Sequence, residues 1–219
     1  KIKNPKTLIE ILIKEEITHI CLPPSLLPVL PVEKMPSSLE TIIIGGEVCP
    51  VDTVREWTKK FRIVNVYGPT EATVCSSLTV CGSNWSKPLI GNPIPNRSLH
   101  ILGENLQLLK DGESGELYLS GVGLAKKYLN QKKLTEEKII FLNGIRLYKT
   151  GDLVVCHGKG EIEFLGRVDR QFKLRGNLIE PYEVEQLLSA YPKISFAHVM
   201  KQTLKREILV AYLVLKENN

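Results

Sequence analysis

The sequence predicts a mixed α/β (α+β) protein with three consecutive parts. Two short β-branched runs flank a helical segment near the start, which is typical of a parallel sheet. From about residue 81, short strands alternate with turn signals, as in an antiparallel β-barrel or open sheet. A further helix and two β-branched runs follow residue 168. We therefore predict a partial α/β subdomain over residues 1–80, a β-barrel-like subdomain over 81–168, and the start of a small, truncated α+β subdomain over 169–219.

The first part begins with a helix predicted from Pro5 to Glu16. Asn4 can cap this helix, and its apolar residues recur at helical spacing. The compact β-branched runs Thr41–Ile44 and Ile63–Val66 are predicted to be buried strands, with a helix over Pro50–Lys60 between them. Uninterrupted apolar strands of this kind indicate a parallel sheet that is covered on both faces.

In the second part, turn residues separate the predicted strands. Asn143-Gly144 is a dipeptide that favours two-residue hairpin turns. The predicted strands of this part are Leu99–Leu102, Leu106–Leu109, Glu116–Ser120, Ile139–Leu142, Arg146–Tyr148, Leu153–Cys156 and Glu161–Leu165. The third part is predicted to contain a strand-like QFKLRG run (171–176), a helix over Pro181–Ala190, and strands over Ser195–Met200 and Ile208–Leu215.

Bulk composition excludes several classes of partner. The net charge is +5, but the lysines are spread along the chain and aromatic residues make up only 6%, so we predict no nucleic-acid binding. The five cysteines are odd in number and lack CxxC spacing, which argues against a disulfide framework or a zinc site and favours a reducing, cytoplasmic setting. Because no apolar run approaches the roughly 20 residues of a membrane-spanning helix, we predict no membrane association.

Two loops with chemically useful side chains follow the two buried strands: IIIGGE (42–47) and NVYGPTE (65–71). Ligands of open α/β sheets bind outside the carboxyl ends of the strands, so both loops are expected to line one crevice. Tyr67 offers a flat face for a base, and Asn65 an amide for an exocyclic amine. Thr70 offers a hydroxyl, and Glu71 is a hard oxygen ligand for Mg²⁺.

Five motifs in order carry a resemblance to a known family. They are NVYGPTEAT (65–73), LIGNPIPN (89–96), GELYLSGVGLAKKYL (115–129), LYKTGDL (147–153) and EFLGRVDRQFKLRGNLIEPYEVE (163–185). Together they resemble the adenylate-forming superfamily of nonribosomal peptide synthetase adenylation domains, acyl-CoA ligases and luciferases. The GPTE form is most similar to the peptide synthetase and D-alanine–carrier-protein ligase branches.

The resemblance implies a nucleotide site around the second loop. Tyr67 would stack on adenine, and Asn65 would hydrogen-bond the edge of the base. Thr70 would face the acyl phosphate, and Glu71 would hold Mg²⁺ between phosphates. Neighbouring residues implied in the nucleotide site are Gly46, Glu47, Val66, Gly68 and Pro69.

The later motifs add three implied nucleotide-binding residues. Asp152 would accept hydrogen bonds from both ribose hydroxyls, and Phe164 would lie beside the nucleotide. Arg167 would approach the ribose and phosphate, and it joins Thr70 and Glu71 as an implied catalytic residue. Without the motif context, Asp152 could simply cap a turn and Arg167 could be a surface cation.

The family pattern also implies an acyl side-chain pocket, lined by Cys21, Ile43, Gly45, Val66, Val74 and Cys75. All six are apolar or small, which favours a medium-sized apolar amino acid as the substrate. Ile43 and Val66 could equally be core strand residues.

The string GVGLAK (121–126) superficially resembles a GxGxxG dinucleotide loop. It lacks the third glycine and lies between β-like segments, so we exclude that interpretation. In the superfamily this string is a structural motif that usually ends in Gly-Tyr. Here Lys127 replaces the glycine, and Leu178 replaces an arginine that often follows the hinge.

The resemblance implies an ATP-dependent ligase that forms an aminoacyl-AMP and then a thioester on the phosphopantetheine arm of a carrier domain. Asp169 would be the hinge between the large body and a small mobile domain, and movement about it would exchange the two half-reactions. The implied cofactors are ATP/AMP and Mg²⁺. We expect a fragment truncated at both ends and inactive by itself, because the upstream phosphate loop and the final catalytic lysine lie outside the sequence. The alternatives are a stand-alone D-alanine–carrier-protein or acyl-CoA ligase, and a non-catalytic relative that binds nucleotide or a partner.

Overall fold

A computed structural model describes residues 4–158, 160–174, 177–203 and 207–216. The chain divides into two compact units, Lys1–Val168 and Asp169–Asn219. The α-helices are α1 (Pro5–Lys14), α2 (Val51–Thr58), α3 (Lys132–Lys138) and α4 (Pro181–Ser189). None of the helices described is long and apolar enough to cross a bilayer. The predicted mixed α/β class is confirmed.

The first sheet of the larger unit has five strands in sequential order: β1 (His19–Leu22), β2 (Thr41–Gly45), β3 (Arg62–Tyr67), β4 (Ser77–Cys81) and β5 (Asn92–Pro93). The first three strands are parallel, and the β3–β4 and β4–β5 pairs are antiparallel. The sheet is therefore mixed. Its parallel half contains both buried runs that the sequence predicted.

Both helices at the start of the chain support one face of this sheet. Leu12 of α1 and Trp57 of α2 share a core with Ile42, Ile44 and Ile63 of the sheet. On the opposite face, Thr41 is buried, and the other described strand residues are half-buried or exposed. The helices α1 and α2 pack on the same side, so the expectation of a sheet covered on both faces stays a prediction.

The second sheet is antiparallel and contains β6 (Arg97–Leu102), β7 (Ser114–Gly121), β8 (Ile139–Leu142), β9 (Ile145–Cys156) and β10 (Ile162–Arg167). Its strand order is β10-β9-β7-β6, with β8 paired to β9. The described strands form an open sheet rather than a closed barrel. The long strand β9 therefore pairs with three neighbours along its length.

One turn and one strand predicted for this sheet have different outcomes. Asn143 and Gly144 both have positive φ angles, 49° and 77°, as a two-residue hairpin turn between β8 and β9 requires. The strand predicted over Leu106–Leu109 is absent from the described structure, where one bridge joins Leu102 to Leu108. Leu106 has a φ of 59°, which is incompatible with a continuous strand.

The smaller unit pairs β11 (Phe172–Leu174) with β12 (Asn177–Ile179), and β13 (Ile194–Thr203) with β14 (Glu207–Leu215). The helix α4 packs on β13. The predicted QFKLRG strand is present as far as Leu174, and its last two residues lie outside the described residues.

A buried carboxylate joins α4 to β13 within this unit. Glu185 accepts hydrogen bonds from Arg170 Nη2 and from the Val199 amide, both at 2.7 Å. His198 Nδ1 lies 3.6 Å from the same carboxylate. The bond from Arg170 is the main cause of a lowered pKa for Glu185, and the bond from the Val199 amide contributes. The charged form of Glu185 therefore stabilises this unit.

The lowered pKa predicts how the stability of this unit depends on pH. When the pKa of a carboxyl group is lower in the folded protein than its ordinary value, here 4.5, the group stabilises the fold at any pH above that ordinary value. This stability is lost as the pH falls through the folded-state pKa. Hydrogen exchange of the Val199 amide should be several-fold slower in the wild type than in Glu185→Gln at neutral pH, and the difference should vanish in acid. Glu183→Gln, an exposed change in the same helix, is the control. An equal effect of both substitutions would contradict the assignment.

Candidate active site

Three predicted site residues meet where the two sheets of the larger unit face each other. The Tyr67 hydroxyl, at the end of β3, donates a hydrogen bond to Asp152 Oδ2 on β9. Arg167 Nη1, on β10, lies 2.8 Å from Asp152 Oδ1. The β9–β10 register pairs Arg167 directly with Asp152, so the ion pair follows from strand pairing. Tyr67 and Asp152 are 7% and 5% exposed, so the contact is shielded from water.

The environment fixes the protonation state of Tyr67. Burial and the neighbouring Asp152 carboxylate raise the pKa of Tyr67 well above its usual value, so the phenol stays protonated and acts as the donor. The buried Asp152 carboxylate also lies beside the half-buried guanidinium of Arg167. A carboxylate offers about four acceptor positions, so it can serve a vicinal diol as well as neighbouring protein donors.

The backbone that carries Asp152 is held by its own hydrogen bonds. The Asp152 amide donates to Thr150 Oγ1 at 3.0 Å, and this hydroxyl donates to the Leu117 carbonyl at 2.6 Å. The Gly151 amide donates to Glu116 Oε1 at 2.9 Å. These contacts explain why the TGD string has a defined shape in the middle of a strand.

The loop after β3 folds back tightly on its own start. The Ser76 amide donates to the Tyr67 carbonyl at 2.7 Å. A Cβ on Gly68 would lie 2.5 Å from the Val74 carbonyl oxygen, which is closer than Cβ atoms are found. Thr73 and Val74 have φ angles of 53° and 69°, a left-handed conformation that is costly for β-branched residues. Such strain is often retained at functional sites.

Thr70 and Glu71 lie in the short 3-10 turn of this loop, Thr70–Ala72. Thr70 is exposed, and Glu71 is half-buried. The Tyr128 hydroxyl donates to Glu71 Oε1 at 2.6 Å. The sequence reasoning did not identify Tyr128, although it lies in a motif that was recognised.

The chemistry of this donor set fits Mg²⁺. In the described part of the chain, no group of three or more His, Cys, Asp or Glu side chains is placed to hold a metal ion. Mg²⁺ commonly binds through one or two carboxylates together with substrate phosphates, so the single carboxylate of Glu71 suits a metal that arrives with a nucleotide. In that case Glu71 would hold the ion, which would neutralise phosphate charge.

The remaining residues predicted to bind the nucleotide differ in their burial and in their hydrogen-bond partners. The Asn65 side-chain amide donates to the Leu89 carbonyl at 2.8 Å, so a backbone contact orients it. Phe164 is partly buried against the core of the second sheet. Glu47 Oε2 accepts from the Ser25 amide at 3.1 Å, and the buried Oε1 has no hydrogen-bond partner among the residues described. Val66, Gly68 and Pro69 are half-buried, and Gly46 is exposed.

The predicted side-chain pocket is only partly assembled. The strand register pairs Cys21 with Ile43, and Gly45 with Val66, on the face of the first sheet opposite the α1–α2 core. In contrast, Val74 is 77% exposed on the strained loop. Cys75, from the same loop, is half-buried, and its thiol donates to the Ser77 carbonyl at 3.4 Å. The structure thus brings four of the six pocket residues together on one face.

A comparison with known protein families identifies the family of this chain. The sequence model described as "AMP-binding enzyme" matches residues 1–129, more than half of the chain. The chain belongs to the AMP-binding enzyme family. The matched region includes the strands β1–β7 and the loop that carries Thr70 and Glu71.

Relatives within this family confirm the resemblance to peptide synthetase adenylation domains. The chain is 39% identical over 208 residues to a probable non-canonical nonribosomal peptide synthetase, CymA, of Salinispora arenicola, covering 93% of the chain and 3% of CymA. It is 42% identical over 194 residues to tyrocidine synthase 1 of Brevibacillus parabrevis, covering 85% and 18%. The chain therefore spans a small part of either relative.

A solved structure shows the same fold over nearly the whole chain. PA1221, a nonribosomal peptide synthetase protein containing adenylation and PCP domains, superposes with a TM-score of 0.86 at 25% identity. The match covers 97% of this chain and 46% of that structure. The AMP-binding family fold thus extends to residues beyond the match of the sequence model.

Proposed function

We propose that the protein containing this chain activates an amino acid by adenylation. The observation that carries this proposal is the buried Asp152 carboxylate, held by Tyr67 and Arg167 beside the NVYGPTE loop. In the proposed reaction, a carboxylate oxygen of the amino acid attacks the α-phosphorus of ATP. The bond to the bridging oxygen breaks, and pyrophosphate leaves with the electron pair. The products are an aminoacyl-adenylate and pyrophosphate.

The geometry supports distinct roles for the three residues of the cluster. Asp152 would accept the ribose hydroxyls, and Tyr67 would present a ring face to adenine while its hydroxyl stays on Asp152. Arg167 would direct its guanidinium toward the ribose and phosphate while paired with Asp152. Asn65 would contact the edge of the base through its oriented amide. Thr70, exposed on the loop, would contact the acyl phosphate.

We further propose a second half-reaction on a carrier domain. A phosphopantetheine thiol would attack the acyl carbon of the adenylate, giving a thioester and releasing AMP. The adenylation and PCP domains that PA1221 contains support a carrier as the partner. Asp169 would be the hinge about which the chain moves between the two half-reactions. The proposed subdomains are residues 1–80, 81–168 and 169–219.

The five free cysteines support a reducing cytoplasmic location.

The half-buried apolar face that carries Ile43 and Val66 supports an apolar amino acid as the substrate. Amino-acid-dependent ATP–pyrophosphate exchange, measured across an amino-acid panel on the full-length protein that carries this sequence, tests the proposal. We expect the highest exchange with a medium-sized apolar amino acid. Omitting the amino acid provides the background rate.

Other outcomes of this assay separate the rival functions. A preference for a charged amino acid would overturn the pocket assignment and leave adenylation standing. Exchange with D-alanine alone would favour a D-alanine–carrier-protein ligase. If no amino acid supports exchange but simple carboxylic acids do, an acyl-CoA ligase would be favoured. AMP binding without exchange on any substrate would favour a non-catalytic relative.

A further inference from the structure

The segment 121–128, here called the brace segment, lies against the loop that carries Glu71. The Ala125 amide donates to the Glu71 carbonyl at 2.7 Å. Thr73 Oγ1 donates to the Gly123 carbonyl at 2.6 Å, which ties down one of the two left-handed residues. The brace segment contains the GVGLAK string, which lacks the third glycine of a dinucleotide loop, and its contacts suggest another use for it.

The brace segment is itself fixed to the second sheet. The Arg146 guanidinium donates to the Ala125 carbonyl and, at 2.9 Å, to the Lys126 carbonyl. Arg97 Nη2 donates to the Ala72 carbonyl at 2.6 Å, in the turn that contains Glu71. Two arginines of the sheet thus bond to the backbone on both sides of the contact. The loop and the brace segment are therefore held in a defined register.

Tyr128, the last residue of the brace segment, reaches the Glu71 carboxylate. Its hydroxyl donates to Glu71 Oε1 at 2.6 Å, and the Tyr148 hydroxyl lies 3.5 Å from that of Tyr128. Burial and the bond to Glu71 raise the pKa of Tyr128, and burial raises the pKa of Tyr148 to about 12, with a contribution from the charge of Glu71. The Tyr128 hydroxyl is the donor of this bond, and the Glu71 carboxylate oxygen accepts it.

We propose that Tyr128 is a positioning residue whose hydroxyl holds Glu71 Oε1, so that the carboxylate meets the magnesium ion of bound ATP in one orientation. A half-buried glutamate side chain such as that of Glu71 can adopt more than one rotamer, and fixing one oxygen removes most of that freedom before the metal arrives. The inference rests on the proposed function, because it assigns the metal to Glu71. It adds a purpose for the brace segment.

The second sheet offers a matched control for this pair. The Tyr118 hydroxyl donates to Glu116 Oε2 at 3.3 Å, a tyrosine–carboxylate bond of the same chemistry. Tyr118 is buried in the same sheet but has no contact with the Glu71 loop among the contacts described. Tyr118→Phe and Tyr128→Phe each remove one hydroxyl and keep the ring.

In the full-length protein, Tyr128→Phe should raise the Mg²⁺ concentration for half-maximal exchange at fixed ATP about tenfold, as for one lost bond to a charged group. The KM for the amino acid should not change. Mn²⁺ titration of the complex with a non-hydrolysable ATP analogue, followed by electron paramagnetic resonance, should show the same weakening without turnover. Tyr118→Phe should leave the metal dependence of both measurements unchanged, because its partner Glu116 contacts the Gly151 amide rather than the loop that carries Glu71.

The two measurements separate failure of this inference from failure of the proposed function. A wild type without exchange would refute adenylation, and the Mn²⁺ titration would still decide the role of Tyr128. Unchanged metal dependence in Tyr128→Phe, or an equal change in Tyr118→Phe, would overturn the inference.

If the Tyr128→Phe variant does not fold, a protein with 3-fluorotyrosine at position 128 is used instead. Its ¹⁹F resonance should then shift when Mn²⁺ or Mg²⁺ joins the nucleotide complex, and a resonance that stays in place would also overturn it.

Discussion

Asp152→Asn is expected to lower amino-acid-dependent exchange about 100-fold, mainly through weaker ATP binding. The substitution keeps the size of the side chain but removes its charge, so the ribose and Arg167 both lose an anionic acceptor. Hydrogen bonds to a charged group contribute about 1.5–3 kcal/mol each, and about 2.7 kcal/mol corresponds to 100-fold. Arg167, whose side chain is 12% exposed, would also lose its ion pair with Asp152. We expect some loss of stability for this reason.

The measurement is exchange at varied ATP together with thermal melting of the same samples. Asp52→Asn is the control, because Asp52 forms an exposed ion pair with Arg55 on α2, and such pairs contribute little. If Asp152→Asn kept the wild-type KM for ATP, Asp152 would have no role in binding the nucleotide. Its contact with Tyr67 and Arg167 would then be purely structural.

Gly68→Ala should also lower amino-acid-dependent exchange about 100-fold, here for a steric reason. The added Cβ would lie 2.5 Å from the Val74 carbonyl oxygen and 2.8 Å from the Ser76 amide nitrogen. Both are backbone atoms, so the loop that carries Glu71 must move. A displacement of about 1 Å in a catalytic group can reduce the rate about 100-fold. The overpacking should also cost about 1–3 kcal/mol of unfolding free energy.

Gly82→Ala separates a steric loop effect from a general intolerance to alanine. There the new Cβ would meet only the end of the Asn84 side chain, at 2.7 Å, which can rotate away. Exchange rates and melting temperatures of the two variants should therefore diverge. Equal behaviour of Gly68→Ala and Gly82→Ala would show that the loop tolerates a side chain at position 68.

Local sequence signals predicted the elements whose formation depends on near neighbours. β2 and β3 follow from β-branched runs, and the turn at Asn143-Gly144 follows from residues that accept positive φ angles. The helix α3, with the sequence KKLTEEK, was missed because it has almost no apolar residues and so no helical periodicity. The strand β4 was missed because antiparallel pairing with β3, rather than its own composition, defines it.

The sequence predicted residues for the candidate site but not the contacts among them. Tyr67, Asp152 and Arg167 were identified because their motifs resemble a family. The bond from Tyr67 to Asp152 joins residues 85 positions apart, and only the packing of the two sheets brings them together. Tyr128 was missed for the same reason, since its partner Glu71 lies 57 positions earlier. The pocket stays a prediction, and the position of Val74 in it depends on a loop conformation that the sequence does not specify.

The bridge from Tyr67 to Asp152 has a consequence for how this protein can evolve. Tyr67 belongs to the first sheet and Asp152 to the second, so the position of the Asp152 carboxylate depends on the packing of both sheets. Close-packed interiors transmit small shifts, and a displaced acceptor binds its ligand less well. If the proposed function holds, substitutions deep in either sheet would be selected through nucleotide affinity as well as through folding. Drift in the two cores should be correlated, with compensating changes in one sheet following changes in the other.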